Sequence, residues 1–165
     1  MSNVNAAHTA YVDTHQAVAQ TLSAAGTDWL DRHRNDALNQ FGIMGLPTTR
    51  DEQWKYTNVR PIARKIFTPS YVDPQNLDSV LGAVRSLPEI ESHRLVFVDG
   101  VWAPQLSRCD ELPKQAFVNG LADTLNKDPS RVKGKLGGVL RKPVNGFNAM
   151  NSAFVSDGAF IEIGP

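Results

Sequence analysis

Tyr11, His15, Val18, Ala19 and Leu22 fall on one side of a helical wheel, the stripe of an amphipathic helix. Ala24-Ala25-Gly26 ends that helix. Thr27 stands as an N-cap, with Asp28 in the first turn near the positive end of the peptide dipole. Leu30, Ala37, Leu38 and Phe41 give a second stripe, stopped by Gly42, Gly45 and Pro47. Two helices joined this closely predict an αα-hairpin. Thr49-Arg50-Asp51-Glu52 reads as a capping box, in which the Thr49 hydroxyl accepts from the Glu52 amide while Glu52 reaches back. A short helix through Trp54 and Tyr56 follows. Pro61 opens a further turn with Ile62 and Ile66. Asp73-Pro74 caps a helix over Leu77, Val80, Leu81 and Val84, closed by Pro88.

The pattern then changes period. Leu95-Val96-Phe97-Val98 is apolar on both faces and predicts a buried strand. Asp99-Gly100 suits a two-residue hairpin turn into Val101-Trp102-Ala103, and Pro104 marks the end of pairing. Ala116-Phe117-Val118 reads as another strand, Asp128-Pro129 as the start of a helix with Val132 and Leu136, and Gly146 to Phe154 as a short helix. Ala159-Phe160-Ile161-Glu162-Ile163 alternates as a final strand with nothing downstream to pair with. The chain is thus expected to be cut where further β structure begins, and the open strand to pair between molecules. The fold class is α+β: a helical hairpin and short helices on a small sheet. Residues 1–8 are expected to be a disordered tail and residues 9–165 a single domain.

Composition narrows the function. The chain has 165 residues, enough to bury about two-thirds of the surface its unfolded form exposes. Lys plus Arg equals Asp plus Glu at 17 each, so no overall field steers it onto nucleic acid or an anionic membrane. No secretory leader and no apolar run of membrane-spanning length is visible, which reads as cytoplasmic. Cys109 is the only cysteine, so neither an intrachain disulfide nor a four-thiolate metal site can form.

Candidate chemistry is sparse. His8 and His15 are seven apart and share a helical face, but no carboxylate or thiol completes a metal site. His33, between Asp31 and Arg34 on the second helix, reads as solvated or partly packed, and His93 has no evident partner. Cys109 follows Arg108, which lowers a thiol pKa, but Asp110 and Glu111 oppose it and no base is marked. Arg131, Lys133, Lys135, Arg141 and Lys142 surround Gly134, Gly137 and Gly138. The spacing fits neither a phosphate-binding loop nor a dinucleotide fingerprint, so a solvated loop is the reading, with an electrostatic protein contact second. Trp54 and Tyr56 point to different helical faces; both are read as core or half-core, with an interface anchor as the alternative.

Glu52-Gln53-Trp54-Lys55-Tyr56-Thr57 resembles the N-terminal motif of the SufD family, subunits of the bacterial SUF iron–sulfur cluster assembly machinery. Gly45-Leu46-Pro47-Thr48 resembles the lead-in to that motif. Arg94 to Gly100, with Pro104 soon after, is similar to the family's buried strand and turn. Phe147 to Phe154, including Asn151, followed by Asp157-Gly158 and an alternating strand, resembles the approach to the family's central β-helix, with Met150 where Leu is usual. The resemblance covers most of the chain and less than half of a family member. It implies that the β-helix, the contacts with SufC and SufB, and any residues that handle nascent cluster lie outside this chain. It also implies no cofactor, metal or catalytic residue here, and a structural or interface role for Glu52, Trp54, Lys55, Tyr56, Thr57, Asn151, Asp157 and Gly158. Two rivals remain: a stand-alone interaction module using Trp54, Tyr56 and the basic cluster, and a small thiol enzyme using Cys109.

Overall fold

The computed structural model describes residues 3–65, 67–68, 77–86, 90–109, 111–139 and 142–165. Along these, the helices and strands are α1 (Asn3–Val18), α2 (Asp28–Met44), α3 (Arg60–Ala63), α4 (Asp78–Arg85), β1 (Phe97–Val98), β2 (Val101–Trp102), β3 (Ala116–Gly120), α5 (Leu121–Lys127), α6 (Pro129–Val132), α7 (Gly146–Ala153) and β4 (Ala159–Ile163). The α+β expectation holds. The chain has two compact units, residues 1–68 with 128–155, and residues 69–127 with 156–165. Helix α1 already begins at Asn3, inside the segment expected to be a tail.

The first unit is helical. Leu30, Arg34, Ala37, Leu38 and Phe41 line the buried side of α2, the stripe that the periodicity gives plus one arginine. The chief neighbour of α2 is α7 rather than its hairpin partner α1. Ala149 and Ala153 of α7 are fully buried, and these small side chains let the two helices approach closely. Helix α1 touches both: the Tyr11 ring meets Phe41 edge-on at 6.1 Å, and the His15 ring meets Phe154 edge-on at 5.2 Å. Tyr11, Phe41, Leu46, Ala63 and Ala149 form the central cluster. The Tyr11 hydroxyl donates to the Lys65 carbonyl, and burial pushes its pKa up.

Two expected caps are built differently. Thr27 makes no side-chain cap; Asp31 reaches back instead, its carboxylate accepting from the Gly26 amide at 2.8 Å. The Thr49–Glu52 capping box does not form. Asp51 accepts from the Thr48 amide at 2.7 Å and from its hydroxyl, closing a tight turn, and Glu52–Trp54 is a single 3₁₀ turn. The short Asp51 carboxylate closes the turn on Thr48 with little chain to order, whereas the long Glu52 chain would have to be ordered to reach the Thr49 amide. Asn58 accepts from the Arg60 amide ahead of the Pro61 turn, where Ile62 lies exposed. Ile66, the Asp73-Pro74 cap and Pro88 lie outside the described residues.

The second unit holds the strands. The β1–β2 hairpin turns at Asp99 and Gly100, whose φ angles of 49° and 83° are those a tight primed turn requires. Leu95 to Val98 is half-buried rather than core, and only Phe97 and Val98 form ladder pairs with β2. The last strand does have a partner, but upstream: β4 runs antiparallel to β3 from Ala116↔Ile163 to Gly120↔Ala159. Phe117 and Phe160 meet edge-on across this pair. Helix α5 leaves β3 directly, packing Leu121, Thr124 and Leu125 inward.

Candidate functional site

The residues singled out in the sequence form two separate groups, one in each unit. In the second unit Asp157 lies at a junction of three segments. One carboxylate oxygen accepts from the Trp102 amide of β2 at 2.7 Å. The other accepts from Ala122 in the first turn of α5 at 2.9 Å and from Gly158 at 2.8 Å. A carboxylate placed at a helix start also meets the positive end of the peptide dipole. The Gly158 carbonyl accepts from Leu121, so the Asp157-Gly158 pair ties β4, α5 and the hairpin together. Trp102 packs over Gly120, where an added Cβ would stand 2.5 Å from its ring. Its indole N–H donates to Ser107, whose oxygen accepts from Val96. These are structural joints, with the Asp157 acceptors occupied by backbone donors.

The second group surrounds a cleft of about 280 Å³ in the first unit. Met44, Gly45 and Pro47 form one side, Asp51, Glu52, Gln53 and Trp54 another. The start of α7 with Val144 closes the third. Trp54 is half-buried, its ring tilted against Phe147 of α7 at 5.3 Å. Tyr56 is 92% exposed, so the expectation that both aromatics pack inward fails for this one. The Lys55 ammonium stands 5.6 Å from the Tyr56 ring centre, a cation–π contact at the surface. Thr57 is exposed, and its amide closes the turn on the Trp54 carbonyl. Asn151 is exposed on α7.

Sequence reasoning missed the residues that make the cleft wall. Asn145 caps α7 by accepting from the Asn148 amide, the signal of an Asn just ahead of a helix. Gly146 follows, and its Cα faces the Gly45 carbonyl so closely that an added Cβ would stand 1.7 Å from that oxygen. Backbone contact of this kind joins the lead-in Gly45-Leu46-Pro47 to the α7 motif, and no side-chain pattern announces it.

The remaining candidates are dispersed. His15 is buried and its Nε2 pairs with the Ala153 carbonyl at 3.0 Å; burial, offset in part by that hydrogen bond, holds its pKa below the usual histidine value. The side chain of His8 lies outside the described residues. His33 is half-buried beneath Gly137 of the basic loop, its pKa lowered by burial and then by Arg34. Arg34 is buried, donating twice to the Val155 carbonyl and once to Ser23, with Asp31 at 3.5 Å. The Cys109 thiol donates to the Arg94 carbonyl. Lys133, Lys135 and Lys142 are exposed, and Arg141 lies outside the described residues. Among the described residues no His, Cys, Asp or Glu group is arranged to hold a metal ion, and no helix is long and apolar enough to cross a membrane.

Comparison with known proteins adds the family. Residues 5–164 match the family described as SufBD protein N-terminal region. An iron–sulfur cluster assembly SufBD family protein of Synechocystis is 27% identical over 157 residues, 90% of this chain and 32% of that protein. The iron–sulfur cluster assembly protein SufD of Escherichia coli K12 is 36% identical over 76 residues, 45% of this chain and 16% of that protein. The chain thus spans about a third or less of the curated relatives it matches. With the match running almost end to end, this chain belongs to the SufBD protein N-terminal region family.

Proposed function

We propose that the chain is the non-catalytic N-terminal part of a SufD-like subunit, working in the cytoplasm in iron–sulfur cluster assembly with SufB and SufC. The observation that carries this reading is the family match over residues 5–164, together with two relatives named for iron–sulfur cluster assembly. The geometry supports the non-catalytic part. Asp157, a motif carboxylate, is occupied by three backbone donors. A cluster is commonly held by four thiolates, and the chain has one cysteine, too few to hold one by itself.

Two experiments separate the parts of this proposal. Purified chain given ferrous iron and sulfide without oxygen is expected to emerge from gel filtration with no cluster absorbance, and to hydrolyse no ATP. A stable cluster or turnover would overturn the non-catalytic reading. A chimera with residues 1–165 in place of the matching region of Escherichia coli SufD is expected to co-purify with SufB and SufC. A folded chimera that fails to do so would overturn the subunit reading.

A further inference from the structure

The cleft beside Trp54, at about 280 Å³, lies at the small end of the range of ligand sites. It suits one anchoring side chain. Its described lining contains two carboxylates, Asp51 and Glu52, and no cation. The two acids are not equivalent: Asp51 is engaged by Thr48, whereas Glu52 is exposed with its carboxylate directed to no capping amide. Trp54 supplies a half-exposed aromatic wall, its ring tilted against Phe147. Met44 and Val144 at the rim are exposed apolar side chains. The Gly45–Gly146 backbone contact fixes the two walls relative to each other, so the cleft needs little ordering before it binds. The nearest cation of the motif, Lys55, is turned onto the Tyr56 ring.

We propose that this cleft is a docking site for an arginine presented by an extended segment of a partner protein. A planar guanidinium stacks on an indole face and forks onto a carboxylate, which matches a Trp wall beside an uncommitted Glu. The apolar rim then takes the neighbouring aliphatic side chain. Lysine, a compact and strongly hydrated charge, fits the aromatic wall less well. The site stands on the cleft's own chemistry and holds whether or not the chain serves cluster assembly.

The test is a titration of ¹⁵N-labelled chain with three acetylated, amidated tetrapeptides: Gly-Arg-Leu-Gly, Gly-Lys-Leu-Gly and Gly-Glu-Leu-Gly. The expected result is saturable shifts of the Trp54 indole N–H and of the Gly45 and Gly146 amides with the arginine peptide. The lysine peptide is expected to bind several-fold more weakly and the glutamate peptide to give no saturable shift. Glu52→Gln, an exposed and isosteric change, should weaken arginine-peptide binding about fivefold or more, and added salt should weaken it in the unmodified chain. The proposal is overturned if no peptide shifts those signals, if the glutamate peptide binds as well, if Glu52→Gln leaves binding unchanged, or if the shifts map to Lys133–Lys142 instead.

Discussion

Asp157 holds three backbone amides of the second unit through one carboxylate. Replacing it with Ala strips the acceptor from three backbone amides at once. An unsatisfied, partly buried amide costs about 1–3 kcal/mol, and water reaches some of these, so Asp157→Ala should lower stability by roughly 2–4 kcal/mol. Urea unfolding followed by fluorescence in a Trp29→Phe, Trp54→Phe background, where Trp102 alone reports, measures this; a loss under about 0.5 kcal/mol would sink the clamp. Asp157 and Gly158 are visible in the sequence as part of a family pattern. Their role is not, because the amides that Asp157 holds lie 55 and 35 positions upstream. The failed Thr49–Glu52 box is the local counterpart. The pattern was present, but the turn closes one residue earlier, between Thr48 and Asp51.

At the scale of elements, α4 offers a simple gain. Gly82 lies inside this helix, and an added Cβ would meet nothing within 4 Å. Gly82→Ala should therefore stabilise the chain by about 0.5–1 kcal/mol, read as a higher urea midpoint. The joint between α1 and α7 gives a pH dependence. His15 is buried against the Ala153 carbonyl and near the Arg34 cation, and its pKa is lowered chiefly by burial. The unfolded chain takes up the proton near the ordinary value of 6.5, while the folded chain resists it. Stability is thus full above that pH and declines as the pH falls below it towards the folded pKa. His33, also lowered chiefly by burial, adds a term of the same sign. The urea midpoint should fall on acidification through this window, and less so in His15→Gln measured against its own neutral-pH value. The α2 stripe, and the α1 stripe as far as Val18, were legible because a helix period is local; Ala19 falls in a 3₁₀ turn and Leu22 in extended backbone. The α2–α7 pairing and the β3–β4 register were not, since each joins segments far apart in sequence whose apolar faces are equally compatible with other partners.

At the scale of the molecule, the chain passes between its two compact units at residues 68–69, 127–128 and 155–156. Each unit has its own buried side chains, Leu30 and Phe41 in one and Leu121 and Leu125 in the other. Native-state hydrogen exchange should therefore show two cooperative blocks, with β3, β4 and α5 opening together at a free energy distinct from α2 and α7. A single opening energy for all five elements would contradict this. Length and the two hydrophobic periods foretold an α+β chain of ordinary core size. They could not foretell two units, because the second is completed only by the last ten residues returning to pair with β3.

The approach of Gly146 to the Gly45 carbonyl carries a consequence for heredity. Every single-base change in a glycine codon that alters the amino acid introduces a carbon branch at the α position or stops translation. At codon 146 each such branch meets an oxygen 1.7 Å away, so no neighbouring codon is a tolerable stepping stone. A saturation library selected for soluble protein should come back empty at that codon and well populated at codon 82, where the branch enters open space.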